Sequence, residues 1–204
     1  MKQVNSVEDI AALEVIYGVP SEAARRKVSD RLLPLHSDWI AASRFCVLCT
    51  IGPDGTDGSP RGDDGPVVTQ LDVRTLLMPD WRGNNRMDSL RNIISDGRLS
   101  LMFLVPGSNT VIRVNGRGHI SIDAALLARF AKDGHLPRTV IVINVAEVYL
   151  QCTRAQMRSG LWARDDSADL PSMGDLLAEA TQGAVGGGAY DAEWAERSTR
   201  EIWS

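Results

Sequence analysis

Histidine, cysteine and lysine each occur only three times among 204 residues, and each scarcity excludes a class of chemistry. Cys46, Cys49 and Cys152 form an odd, sparse set, which does not suit a disulfide framework. Cys46 and Cys49 match Cys-x-x-Cys, but they sit in Phe45-Cys46-Val47-Leu48-Cys49-Thr50-Ile51, a strand pattern. Positions i and i+3 of a strand face opposite ways, so the sulfurs diverge and two small core residues are the favoured account. His36, His119 and His135 lack metal-ligand spacing, and no P-loop, zinc or Ser-His-Asp pattern is present, so no metal is expected. No apolar run approaches a bilayer span, and Met1-Lys2-Gln3-Val4-Asn5 turns acidic without the apolar stretch of a signal peptide. A cytoplasmic protein without a membrane partner is the expectation. Net charge is −4 and the isoelectric point is near 5.4. The broad basic surface of a general nucleic-acid binder is missing, so no nucleic-acid partner is expected.

What is present is globular: 44% hydrophobic and 24% charged residues, enough for one core with terminal additions. Cationic charge rests on nineteen arginines. Their planar fork suits phosphate and carboxylate, although a genomic composition bias accounts for the excess equally well.

The patterning divides the chain into three regions. Residues 1–44 read as helical and are expected to pack on a barrel. Residues 45–162 carry strands at 45–51, 66–70, 74–78, 99–105, 110–123 and 138–150, with helices at 87–95 and 124–132. Pro34 reads as an interruption of a helix that begins near Ser21. Gly116 and Gly118 inside the long fifth strand predict a bulge or sharp bend. Residues 163–204 form a C-terminal extension in which Gly183-Ala184-Val185-Gly186-Gly187-Gly188 reads as a flexible linker. Trp194 and Trp203 beyond it predict a tail that docks on this subunit or on a partner. The fold class expected is mainly β (α+β), a six-stranded antiparallel split β-barrel with flanking helices. A Rossmann fold is disfavoured because strands and helices do not alternate.

Three segments hold candidate chemistry. Met78 to Ile94 runs from a strand end through Arg82-Gly83-Asn84-Asn85-Arg86 into an amphipathic helix containing Ser89. A helix start presents free N–H groups and a positive dipole end, and Gly and Asn tolerate the geometry of an anion nest. A polar loop that caps a helix is an equal reading of this segment alone. Asp57-Gly58-Ser59-Pro60-Arg61-Gly62-Asp63-Asp64-Gly65 reads as a long hairpin loop with a local Arg–Asp pair, or as open backbone beside a flat ligand with Arg61 as polarising group. Gln151 to Trp162 places Arg154, Arg158 and Trp162 at helical spacing. Trp162 either stacks on an aromatic ligand or fills a core.

Taken in order, these segments resemble the pyridoxamine 5′-phosphate oxidase-like FMN-binding split-barrel family, in its probable FMN-dependent subgroup. The resemblance rests on Ser59-Pro60-Arg61-Gly62-Asp63, Gly83-Asn84-Asn85-Arg86, Asp88-Ser89-Leu90-Arg91-Asn92, Phe103-Leu104-Val105-Pro106-Gly107, Arg113-Val114-Asn115-Gly116 and Arg158-Ser159-Gly160-Leu161-Trp162. It implies a homodimer with FMN at the subunit interface and FMN-dependent oxidoreductase activity on an unnamed small molecule. By position, Arg61, Gly62 and Asp63 would border the isoalloxazine, while Asn84, Asn85, Arg86 and Ser89 would hold the phosphate. Thr110, Val111 and Arg113 would lie on the next flavin-contacting strand, and Arg158, Ser159 and Trp162 would reach in from the partner. The family's C-terminal Arg-x-His substrate pair is missing, since no histidine follows His135. No catalytic residue is assigned, and a non-catalytic flavin- or haem-binding split-barrel module is the alternative.

Overall fold

The structure is a computed structural model that describes residues 6–200 and Trp203. Its centre is one antiparallel sheet of seven strands in the order β2-β1-β5-β6-β7-β4-β3. These are β1 (Phe45–Gly52), β2 (Gly55–Gly62), β3 (Thr69–Asp72), β4 (Thr75–Asp80), β5 (Arg98–Leu104), β6 (Val111–Ser121) and β7 (Thr139–Gln151). Strand alternation builds the core. In β1 Cys46, Leu48 and Thr50 turn inward, and they meet Leu101 and Phe103 of β5 and Val114 of β6. The β-branched run of β7 adds Ile141, Ile143 and Val148 to the same core.

Helices flank this sheet. The first two are short, α1 (Ile10–Tyr17) and α2 (Glu22–Arg26), and neither buries a residue. Helix α3 (Pro34–Ala41) buries Ile40 and packs Trp39 on the core. Pro34 opens this helix instead of interrupting one, because its missing N–H costs nothing at the first position. Helix α4 (Asp88–Ser95) lies on β1: Ile93 enters the core, and Asn92 Nδ2 donates to Thr50 Oγ1 at 3.1 Å. Gly52 makes room for it, since a Cβ there would stand 2.1 Å from Asn92 Oδ1. Helices α5 (Ala124–Ala128) and α6 (Arg154–Ser159) flank the ends of β7.

The sheet has seven strands, one more than the six expected. The extra strand is β2, whose three glycines and one proline read as loop in the sequence. Pairing with β1 from Phe45↔Gly62 to Gly52↔Gly55 overrides that composition. Pro60 is tolerated because β2 is the outermost strand and needs no donor on its free side. The strand expected at 66–70 starts later, at Thr69; Val67 and Val68 are buried in irregular chain, with Val67 N donating to Ser43 O at 2.9 Å. Cys49 is a second correction: Cys46 is buried and Cys49 is exposed, so only one of the pair belongs to the core. Burial pushes the Cys46 thiol up to about 12, against the pull of Arg61.

The Gly-rich run beyond residue 182 is also more ordered than a flexible linker. It forms the turn between α7 (Met173–Ala180) and α8 (Gly188–Arg200). Gly187 N donates to Gly174 O at 2.8 Å, and Asp191 accepts from Gly174 N at 2.8 Å and Ser172 Oγ at 2.6 Å. A Cβ on Gly174 would stand 2.5 Å from Gly187 O, so glycine is what lets the two backbones meet.

Two features bend the sheet into a barrel. The β6–β7 ladder shifts register between Asn115 and Gly116, the bulge that the glycines predict. A Cβ on Gly116 would come within 2.2 Å of Asn144 O on β7. The second feature is an ion pair. Arg61 Nη1 of β2 donates to Asp80 Oδ1 of β4, joining strands from opposite parts of the sheet order. Both side chains are mostly buried, at 20% and 12% exposure.

Gly116→Ala should lower stability by about 2–3 kcal/mol, because neither backbone can give way, and drop Tm by roughly 4–12 °C. Gly58→Ala, where no atom lies within 4 Å of the added carbon, should change it by less than about 0.5 kcal/mol in the same calorimetric scan. Asp80→Ala should cost about 2–3 kcal/mol in urea unfolding, since it leaves Arg61 largely buried and unpaired. Asp166→Ala breaks the exposed pair with Arg164 and should cost less than about 1 kcal/mol. Equal losses from the two aspartates would contradict the bridging role of the Arg61–Asp80 pair.

Candidate functional site

The ion pair that bridges β2 and β4 also lines a cleft of about 460 Å³. Its walls are Asp57 to Arg61 of β2, Asp80 at the end of β4, the loop from Trp81 to Met87, the first turn of α4, and Arg138 with Thr139 at the start of β7. The β4–β7 ladder brings the last two there by pairing Asp80 with Thr139. Arg138 N donates to Asp80 O at 3.0 Å and extends that pairing by one bond.

The loop and helix start have the features of an anion site. Asn85 takes a left-handed conformation at φ 61°, and Arg86 N donates to Asn84 Oδ1 at 3.0 Å. Met87 at the N-cap supplies no side-chain acceptor, so the first N–H groups of α4 are not capped by it. Ser89 is buried and its hydroxyl donates to Asp57. Arg86 Nε donates to Asp88 Oδ2 at 2.5 Å. That hydrogen bond, then the charges of Asp88 and Asp57, raise the Arg86 pKa further. Among the described residues, Arg82 and Arg138 have no carboxylate within salt-bridge distance, so their charge is available to a ligand.

Three buried polar atoms without a hydrogen-bond partner belong to residues of this cleft: Arg61 Nε, Trp81 Nε1 and Thr139 Oγ1. Such groups are rare in folded proteins because each costs free energy.

The residues singled out in the sequence divide into two groups. Arg61, Asn84, Asn85, Arg86 and Ser89 line the cleft. Gly62 and Asp63 come directly after Arg61 but are not part of the lining. Asp63 N donates to Arg44 O at 3.0 Å, and the Asp63 carboxylate accepts from Gly65 N and Lys132. The second group gathers elsewhere. Thr110, Val111 and Arg113 stand at the start of β6, with β1 and β5 between them and β2. Val111 is fully buried, and the Arg113 guanidinium lies 5.5 Å from the Tyr149 ring centroid. Trp162 joins this group through Nε1, which donates to Ser108 O at 2.8 Å. Ser159 Oγ bonds the α6 carbonyl of Gln156 at 3.0 Å, and Arg158 is exposed. One chain does not bring the two groups together. Sequence reasoning missed Asp57, Trp81, Arg138 and Thr139; the last two carry no local signal, being placed only by the long-range β4–β7 register.

The sequence profile described as pyridoxamine 5′-phosphate oxidase matches residues 32–152, well over half of the chain. No curated protein matches. Among solved structures, HupZ of Group A Streptococcus is 15% identical, with 58% of this chain and 93% of that chain covered and a TM-score of 0.49. General Stress Protein 26 of Bacillus anthracis is 18% identical, covering 55% of this chain and 88% of that one at TM-score 0.42. An FMN-binding protein of Syntrophomonas wolfei is 12% identical, covering 57% and 83% at TM-score 0.44. These likenesses are distant, and the assignment rests on the profile and on its agreement with an antiparallel sheet flanked by helices: the chain belongs to the pyridoxamine 5′-phosphate oxidase family.

Proposed function

We propose that the chain is an FMN-binding flavoprotein acting as an FMN-dependent oxidoreductase, with the flavin between two copies of the chain. The observation that carries the reading is the phosphate end of the cleft. The uncapped start of α4, the Asn84–Asn85 turn, Arg86 and Ser89 converge there, with Arg82 close by. Helix N–H groups and the Arg86 fork would take the phosphate oxygens, and the Ser89 hydroxyl would join them only by turning its proton away from Asp57. Asp57 and Asp88 hold the Ser89 hydroxyl and Arg86 Nε in place, leaving the outer guanidinium nitrogens of Arg86 for the ligand.

Arg61, held by Asp80, would face the polar edge of the flavin ring together with the free outer edge of β2. Bound FMN would supply electron and hydride transfer; the chain's residues bind it, orient it and shield one side from water. Thr110, Arg113, Arg158, Ser159 and Trp162 lie apart from this cleft in one chain, which suits a homodimer in which they meet the partner's cleft. The lining contains no His, Cys or Tyr, so haem would find only Met87 as an axial ligand, and the flavin reading is preferred.

The purified protein should be yellow and release FMN on denaturation, and consumption of reduced nicotinamide in air should distinguish an oxidoreductase from a flavin store. A colourless protein that also fails to take up added FMN would end the reading. Arg86→Ala should weaken FMN by about 10–100-fold, the loss of a charged hydrogen bond, while riboflavin affinity should hardly move. An equal loss for both ligands would remove Arg86 from the phosphate site.

A further inference from the structure

Trp81 belongs to two contacts at once. It lines the cleft, and its ring meets Trp203 beyond α8, with centroids 5.3 Å apart and planes at 71°. Lys132 Nζ lies 3.9 Å from the Trp203 centroid and 6.0 Å from that of Trp81. Lys132 is itself held by the carboxylates of Asp63 and Asp64, just beyond β2. Burial pulls its pKa down, but the hydrogen bonds from those two carboxylates outweigh it and the net shift is upward, so the cation persists. The end of β2, the loop after β4, the segment after α5 and the C-terminal tail therefore meet at one point beside the cleft.

Trp203 lies three residues beyond the end of α8. Helices α7 and α8 form a hairpin stiffened by the Asp191 clasp and by the close approach of Gly174 to Gly187. An edge-on aromatic pair and a cation over an indole face are both attractive, and each is stronger where water is displaced. Trp81 has no hydrogen-bond partner for its buried Nε1, so its own polar group does not fix it. Packing against Trp203 is a contact that can do so.

We propose that Trp203 is a positioning residue for the cleft: docked with Lys132 on Trp81, it fixes the wall against which the ligand lies. Docked Trp203 then acts as a latch on that wall: it tightens ligand binding, and by linkage the ligand tightens its docking to the same extent. The identity of the ligand as FMN rests on the proposed flavin function; the latch itself does not.

The test uses the full chain labelled with 5-fluorotryptophan, which gives one fluorine signal for each of five tryptophans, Trp81 being assigned by Trp81→Phe. In Trp203→Ala the Trp81 signal should move toward the solvent-exposed position, and Trp203→Phe should hold it near the wild-type position. FMN affinity, read by quenching of flavin fluorescence, should fall about tenfold in Trp203→Ala, equivalent to about 1.4 kcal/mol, and largely recover in Trp203→Phe. Lys132→Met should shift both readouts in the direction of Trp203→Ala. An unmoved Trp81 signal in Trp203→Ala overturns the latch. A moved signal with unchanged FMN affinity overturns its link to the cleft. A wild-type chain that binds no FMN ends the flavin reading, while the fluorine signals still decide whether Trp203 positions Trp81.

Discussion

Arg61 stands on the outermost strand of the sheet and Asp80 on the strand next to the opposite edge, yet the two side chains share a hydrogen bond. That contact forms only if the sheet curls through β1, β5, β6 and β7 until its ends approach. The bulge at Asn115/Gly116 increases the local twist that makes such curling feasible. The pair lies where β2, the β4–α4 loop and the start of β7 surround a single cleft. The shape of that cleft depends on the approach of the two strands, because neither β2 nor the loop adds a residue to the hydrophobic core.

How much of this was readable in the sequence depends on how local each signal is. The β-branched run of β7, the glycines of β6 and the apolar face of α4 are statements about neighbours three or four residues away, and each matches an element of the fold. The Gly/Asn loop was legible as a loop leading into a helix for the same reason. Strand β2 was not, since glycine and proline argue against a strand and only the ladder with β1 makes one. Arg138 and Thr139 become part of the cleft through the register with Asp80, across more than fifty residues of chain. Lys132 reaching Asp63 and Trp203 reaching Trp81 are equally non-local. Periodicity has no access to such pairs.

The charge arrangement of the cleft is a balance. Four arginines line it, Arg61, Arg82, Arg86 and Arg138, but so do Asp57, Asp80 and Asp88. Asp80 neutralises Arg61 and Asp88 engages Arg86, so the net pull on a phosphate comes from Arg82, Arg138, the remaining Arg86 donors and the α4 dipole. Asp57 opposes it by charge yet fixes the Ser89 hydroxyl. Acids inside a cationic cleft trade affinity for orientation, which suits a cofactor that must sit in one pose more than it suits a scavenger of anions.

The distribution of unpartnered polar atoms leads to the same place from a different direction. A buried donor without an acceptor costs roughly 1–3 kcal/mol, so a fold that retains several is destabilised unless something else supplies the partners. Here Arg61 Nε, Trp81 Nε1 and Thr139 Oγ1 belong to residues on three separate stretches of the cleft's wall, Trp81 at the start of the loop itself, while a fourth such atom, Gln156 Oε1, lies elsewhere. All of them are buried beneath the surface, so a ligand in the cleft would reach the first three only after the wall shifts. The cost those groups carry favours such a shift once a partner arrives, which would couple ligand binding to the packing of the wall.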